Sequence, residues 1–391
     1  MGKIVVFVLV VLGCTGCAGL PDRNPVPKGL VEQAQLPGIP FARYWADEAP
    51  HRVGFWEIMS KEEAKARFPA TFGTSHTYLA ISGGGPRGAF TAGFLNGWTA
   101  AGDRPDFTVV TGVSTGALIA PFAFLGSEYD HMLKEIYTNT STNDILKKRS
   151  LIGMVTKDAV TDTTPLRQLM GRYLDANVMR AIAGKYKRGH TLIVVTTDLD
   201  AGRPVAWDIG RIAASGHPDA LRLIHDVLIA SAAIPAAFPP VMFEVEADGK
   251  IYDEMHVDGG VTSQLHLYPL SMDITEYQDI FDMPTPPTVY VLRNGYVGAP
   301  YEVIERKTLA IAASAMSTLM GSVSYGDMYR IYLEAERDGV EFNLAYLPSS
   351  FQESMSEPFD PIYMTKLYEL GYTLASNGYD WLAAPPGYDT N

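Results

Sequence analysis

The order of apolar and polar positions divides the chain into short buried strands and helices. Residues 77–82 (TYLAIS) form a compact apolar run, read as a buried strand, that ends in Gly83-Gly84-Gly85-Pro86-Arg87-Gly88. Phe90, Gly93, Phe94, Gly97 and Trp98 follow at i, i+3, i+4, i+7 and i+8, one face of an α-helix. Two of those five are glycine, which predicts close packing of this helix on a sheet. Residues 107–111 read as a second strand, running into Gly112-Val113-Ser114-Thr115-Gly116, and residues 117–122 are apolar on every side and open a buried helix. Residues 192–197 (LIVVTT) lack alternation, as expected of a parallel strand covered on both faces. A helix over 221–234 stops at Pro235. Residues 242–245 and 251–252 flank Asp248-Gly249 and predict a hairpin. Val257 leads into Asp258-Gly259-Gly260, residues 288–292 (TVYVL) form a late strand, and helices are expected near 303–320, 326–338 and 360–377. Strands alternating with helices indicate an α/β sandwich around a mostly parallel sheet. No internal repeat or low-complexity tract is present.

The N-terminus has a different pattern. Lys3 precedes an unbroken apolar run from residue 4 to residue 12. Such a run has the size of a signal-peptide core and is too short to span a bilayer as a helix, which needs about 20 residues. It ends in Gly-Cys twice, at Cys14 and Cys17, and small residues before cysteine resemble a bacterial lipoprotein cleavage box. Cys17 gives the more usual signal length, whereas Cys14 has the better apolar residues upstream. Plain secretion is the alternative. Lipidation implies a location on the periplasmic side of a bacterial membrane. With Ala18 after Cys17, no aspartate favours inner-membrane retention, so the outer membrane is expected. These are the only two cysteines, so a processed chain has no internal disulfide. Prolines at 21, 25, 27, 37, 40 and 50 then predict an extended linker. The division expected is 1–17 signal, 18–75 linker and N-terminal extension, 76–270 catalytic domain, and 271–391 completing or flanking the core.

Composition narrows the function. Lys and Arg total 31 against 44 Asp and Glu, a net charge of −13, and 47% of the 391 residues are hydrophobic. This is a folded globular composition. The acidic balance argues against nucleic-acid binding, which needs clustered cations, and gives no electrostatic pull towards anionic lipid. No metal-ligand motif and no cofactor motif beyond the glycine loop is present, so metal-independent chemistry is expected.

Three motifs carry candidate chemistry. Gly112-Val113-Ser114-Thr115-Gly116 is a G-x-S-x-G between a predicted strand and a predicted helix. On such a turn the serine hydroxyl projects from the sheet, with a helix N-terminus beneath it to favour developing negative charge. Gly83, Gly84, Gly85, Arg87 and Gly88 belong to a loop whose backbone amides suit an oxyanion hole. The same loop fits G-x-G-x-x-G, the dinucleotide fingerprint. However, Asp103–Asp106 lies before a strand, whereas a ribose-binding acid belongs at a strand's end. Asp258, with Gly259 and Gly260, stands 144 residues after Ser114, far enough to return beside it on a later strand. No histidine sits in a glycine-rich turn of the kind that presents a base. His225 falls within a predicted helix, while His256 and His266 flank the Asp-Gly-Gly. A carboxylate therefore becomes the candidate partner of the serine.

In that order these motifs resemble the patatin-like phospholipases. The resemblance extends to Ala230-Ser231-Ala232-Ala233-Ile234-Pro235-Ala236-Ala237-Phe238-Pro239-Pro240 and to Thr196-Thr197-Asp198-Leu199, and covers about residues 76–270. It implies a three-layer α/β/α fold and acyl-ester hydrolysis through an acyl-serine intermediate. By the same resemblance Ser114 is nucleophile, Asp258 general base, and the amides around Gly84 and Gly85 an oxyanion hole. Arg87 would contact that loop or a substrate phosphate. The expected substrate is a lipid or ester, with the membrane reached through the N-terminal lipid. The competing readings are a nucleotide-binding oxidoreductase using loop 83–88 and a non-catalytic lipid-binding lipoprotein.

Overall fold

A computed structural model describes residues 22–48, 59–148 and 158–388, apart from 270, 273, 299, 300 and 302. In chain order its elements are β1 (Arg43–Trp45), α1 (Lys61–Arg67), β2 (Thr77–Ile81), α2 (Gly88–Ala101), β3 (Val109–Val113), α3 (Thr115–Leu125) and α4 (Asp130–Asn139). A short α5 (Thr142–Ile145), a small ladder of β4 (Lys147–Lys148) with β5 (Thr161–Asp162), α6 (Thr164–Tyr173) and α7 (Ala176–Lys187) follow. Next come β6 (Thr191–Asp198), β7 (Arg203–Asp208), α8 (Ile209–Ala214), α9 (Ala220–Ser231), β8 (Val241–Ala247) and β9 (Lys250–Asp258). The chain closes with α10 (Ile274–Ile280), β10 (Thr288–Arg293), α11 (Thr308–Asp338), β11 (Glu341–Tyr346) and α12 (Pro361–Ser376).

The main sheet runs β1-β7-β6-β3-β2-β10-β11. From β6 to β11 the neighbours are parallel, while β7 and β1 add an antiparallel edge. The β8–β9 hairpin joins β6 where β6 runs past the end of β3. Helices flank the sheet, and β3 and β6 are buried along their whole length, which is why they read as unbroken apolar runs. The hairpin turn falls at Asp248-Gly249, whose φ angles of 49° and 69° match a two-residue primed turn.

Four expectations change. The glycine face of α2 packs on α12, not on the sheet. A Cβ on Gly93 or Gly97 would collide with the carbonyls of Tyr368 or Tyr372, and one on Gly371 with the carbonyl of Phe90. Three glycines thus let two backbones touch, and the C-terminal helix is part of the core. The two helices expected near 303–320 and 326–338 are one helix, α11, continuous through Gly321 and Gly326. The helix expected over 221–234 ends at Ser231, before a turn in which Ala236 takes φ 65°. The proline-rich stretch does not run free over residues 22–48: Leu36, Ile39, Ala42 and Trp45 are buried, and β1 pairs with β7. Its anchor is Arg43, buried and ion-paired with buried Glu254 of β9. The signal run and both cysteines, Cys14 and Cys17, lie outside the described residues. No described helix is long and apolar enough to cross a membrane.

Candidate active site

The sheet brings Ser114 and Asp258 together by register. Val113, the last residue of β3, lies opposite Val195, and the next residue of β6, Thr196, lies opposite Asp258. Strand β6 therefore aligns the end of β3 with the end of β9. Ser114 Oγ donates a 2.7 Å hydrogen bond to Asp258 Oδ2, and Asp258 Oδ1 accepts one of 2.8 Å from Gly260 N. Both carboxylate oxygens are thus engaged, and both side chains are buried.

Ser114 has φ 56° and ψ −124°, a conformation L-residues rarely adopt. It persists because its surroundings fix it. Its amide donates to Ser231 Oγ at 2.9 Å, and Ser231 Oγ donates to Val195 O at 2.7 Å. The glycines of the motif make the turn possible. A Cβ on Gly112 would collide with Gly116 O, and one on Gly116 with Ile81 O. Ser114 is the residue before the first turn of α3, so the positive end of that helix lies at its hydroxyl.

Loop 83–88 stands over this turn. The position a Cβ of Gly83 would take is 3.1 Å from Ser114 Cβ. Gly84 (φ 157°) precedes, and Gly85 (φ 58°) opens, a short turn of 3₁₀ helix that leads into α2. Asn294, just past β10, holds the loop from below: its N donates to Ser82 Oγ at 2.8 Å and its Nδ2 to Ser82 O at 2.9 Å. Gln264 sits between the glycine loop and the Asp-Gly-Gly turn, and a Cβ on Gly83 or Gly260 would occupy its amide. A Cβ on Gly259 would collide with Val195 O, and one on Gly88 with Thr115 Oγ1. Arg87 is half-buried, with its Nε buried and unpartnered.

Burial pushes the Asp258 carboxyl up to about 7, against the opposing hydrogen bonds from Ser114 and Gly260 N. A base that titrates near neutrality suits proton transfer at physiological pH. His256 and His225 are engaged elsewhere. His256 Nδ1 meets Thr196 Oγ1 at 2.8 Å and Nε2 meets Glu254 Oε2 at 3.1 Å; His225 Nε2 meets Leu174 O at 2.7 Å. His266 is buried, which pushes its pKa down to about 3. Asp198, Glu254 and His256 hold possible metal-ligand atoms within 4.8 Å of one another, but Arg43 already supplies a cation to Glu254.

A family model for patatin-like phospholipase matches residues 79–270. Residues 79–270 belong to the patatin-like phospholipase family. Its members act generally as lipid acyl hydrolases. No curated protein matches the chain significantly. Among solved structures, VipD from Legionella pneumophila is similar at 14% identity with a TM-score of 0.39; the match covers 78% of this chain and 66% of that one, just under two thirds.

The patatin-like domain places every predicted motif residue around one point: Ser114 and Asp258 in contact, Gly112 and Gly116 beneath the serine, Gly259 and Gly260 behind the aspartate, loop 83–88 above. Beside them, Gly85 and Thr115 open a narrow apolar pocket of about 40 Å³, deepened by Leu118, Phe122, Leu166 and Met170. A larger cleft of about 830 Å³, lined by Arg167, His225 and Val241 among others, includes none of these motif residues. The dinucleotide reading loses its second requirement, because the end of β3 carries Ser114 and no acid. Sequence reasoning assigned no role to Ser231, Gln264 and Asn294. Ser231 lay inside the segment quoted for the resemblance. Asn294 follows the C-terminal end of a parallel strand, where functional residues of open α/β sheets gather. No spacing rule points to Gln264.

Proposed function

We propose that this patatin-like protein hydrolyses fatty-acyl esters of lipids through a Ser114–Asp258 dyad and an acyl-serine intermediate. The 2.7 Å hydrogen bond from Ser114 Oγ to buried Asp258 carries the reading. In the first half-reaction Asp258 takes the Ser114 proton as Oγ attacks the ester carbonyl. The oxyanion rests on amides of the glycine loop, those of Gly84 and Gly85, with the N-terminus of α3 beneath. Collapse breaks the acyl–oxygen bond; Asp258 returns its proton to the leaving alkoxide, and the acyl group stays on Ser114. In the second half-reaction Asp258 deprotonates a water that attacks the acyl-serine. The free acid leaves and Ser114 recovers its proton. The apolar side chains beside Thr115 line the path on which the start of the acyl chain would lie. The reading extends to an envelope location through lipid on Cys17 or Cys14, on the strength of the cleavage box alone.

The test is turnover of phosphatidylcholine and of a soluble aryl ester by the purified domain and by Ser114→Ala. Hydrolysis by the first and a loss of at least about a thousandfold in the second are expected. A folded wild-type protein that cleaves no ester but retains lipid would favour the non-catalytic lipid-binding reading.

A further inference from the structure

Helix α11 has two unlike halves. Its C-terminal half lies in the core, with Met328, Ile331, Tyr332 and Ala335 buried. Asp327 Oδ2 there accepts the amides of Gln264 at 2.7 Å and Leu265 at 3.1 Å. The N-terminal half is the reverse. Residues 308–326 contain no charged side chain, although charged residues make up 19% of the chain. Most of that stretch is nonetheless exposed to solvent: Ile311 by 54% and Leu319 by 63%. Tyr301 and Val303, just before the helix, are 93% and 79% exposed. Ile311 and Leu319 are eight residues apart and fall on one side of the helix.

Water is a poor solvent for such an element. An isolated helix of this length is marginal even with good propensities, and this half has no ion pairs of its own to support it. An exposed helical stretch with no charge, and with an isoleucine and a leucine among its serines and threonines left in the open, is better served by a covering of protein or lipid than by water. Contiguous apolar surface on a soluble fold marks a place where something else docks. The position of this surface indicates what docks. Met320, at the end of the exposed stretch, reaches Gly260: a Cβ there would lie 2.9 Å from Met320 Cε. Gly260 in turn donates to Asp258. The uncharged half-helix therefore leads into the Ser114–Asp258 site.

We propose that residues 308–323 dock on the surface of a lipid bilayer, with the half-helix lying in the plane of the interface beside the site. The inference rests on the lipid acyl hydrolase reading for its choice of partner. Apolar contact drives the docking. The docking stretch itself carries no charge, the flanking Lys307 is paired with Glu305, and the chain is acidic, so binding to zwitterionic lipid is expected without help from anionic headgroups. The exposed stretch is about 24 Å long, enough to rest on several lipids beside the scissile ester.

The test measures flotation of the full chain with phosphatidylcholine vesicles, alongside hydrolysis of a soluble aryl ester. The double variant Ile311→Asp/Leu319→Asp should lose vesicle binding by about 10- to 100-fold, the effect of placing acids against hydrocarbon. It should keep its soluble-ester rate within about twofold. Ile362→Asp, an equally exposed apolar position on α12, should float like the wild type. Unchanged flotation of the double variant would overturn the proposal, as would an equal loss in Ile362→Asp. A wild-type dimer that the double variant converts to monomer would assign the face to a second copy and also overturn it. Flotation is read on Ser114→Ala as well, so docking is scored even if no ester is cleaved.

Discussion

Asp258→Asn keeps the shape of the carboxyl and removes its charge, and so separates the cost of that buried charge from the packing around it. The amide can still accept from Gly260 N and lie against Ser114 Oγ. Burial pushes the Asp258 carboxyl from its ordinary 3.8 up to about 7. The interval is roughly three pH units, which corresponds to about 4 kcal/mol. Because the folded pKa is the higher one, the unfolded chain binds fewer protons than the folded chain between about pH 4 and 7. Stability from this group is therefore full below about pH 4, falls as pH rises, and is lost above about pH 7. The asparagine variant has no such loss. Urea unfolding at pH 4 and at pH 8 measures the difference: the variant should gain up to about 4 kcal/mol on the wild type between the two. Its ester hydrolysis should fall by at least about a thousandfold. A variant no more stable at pH 8 than at pH 4, relative to wild type, would show that the Ser114 and Gly260 hydrogen bonds fully offset burial. The claim of a strained, high-pKa base would then fail.

In the wild type, kcat/KM for a soluble ester should rise with pH through about 7 as Asp258 loses its proton, and a rate flat from pH 5 to 9 would contradict it as the base. Ser114→Gly should melt above Ser114→Ala by about 1 kcal/mol in unfolding free energy, since glycine relieves φ 56° while giving back part of the gain as unfolded-state entropy. Equal melting temperatures would mean the turn is unstrained. Arg43→Met should cost about 3–5 kcal/mol by leaving Glu254 buried without its cation, with only His256 beside it. Glu254→Gln in the same chain should restore most of that, and a single variant as stable as wild type would remove β1 from the fold's support.

What the sequence made legible was local. The serine turn, the glycine loop, the Asp-Gly-Gly and the hairpin each depend on residues close in sequence, and all appear where expected. The glycine face of α2 correctly announced a close backbone approach, but spacing cannot name a partner, and Tyr368 lies some 270 positions away. The break expected between residues 320 and 326 failed because Gly321 and Gly326 cost about 1 kcal/mol each, which a long helix half-packed in the core tolerates. Strand β7 was missed because Arg203-Pro204 opens it like a loop, and β1 because three residues carry no periodicity. Ser231, Gln264 and Asn294 support the site through contacts 36 and 117 residues away for the first and across separate elements for the others, which no single-chain pattern encodes.

The most direct measurement is labelling of the purified domain with a fluorophosphonate, followed by mass spectrometry of the adduct. The dyad account predicts one adduct, on Ser114, that forms quickly in the wild type and is lost in Asp258→Asn. A folded protein that takes no label, or one labelled at Ser114 as fast without Asp258 as with it, would contradict it.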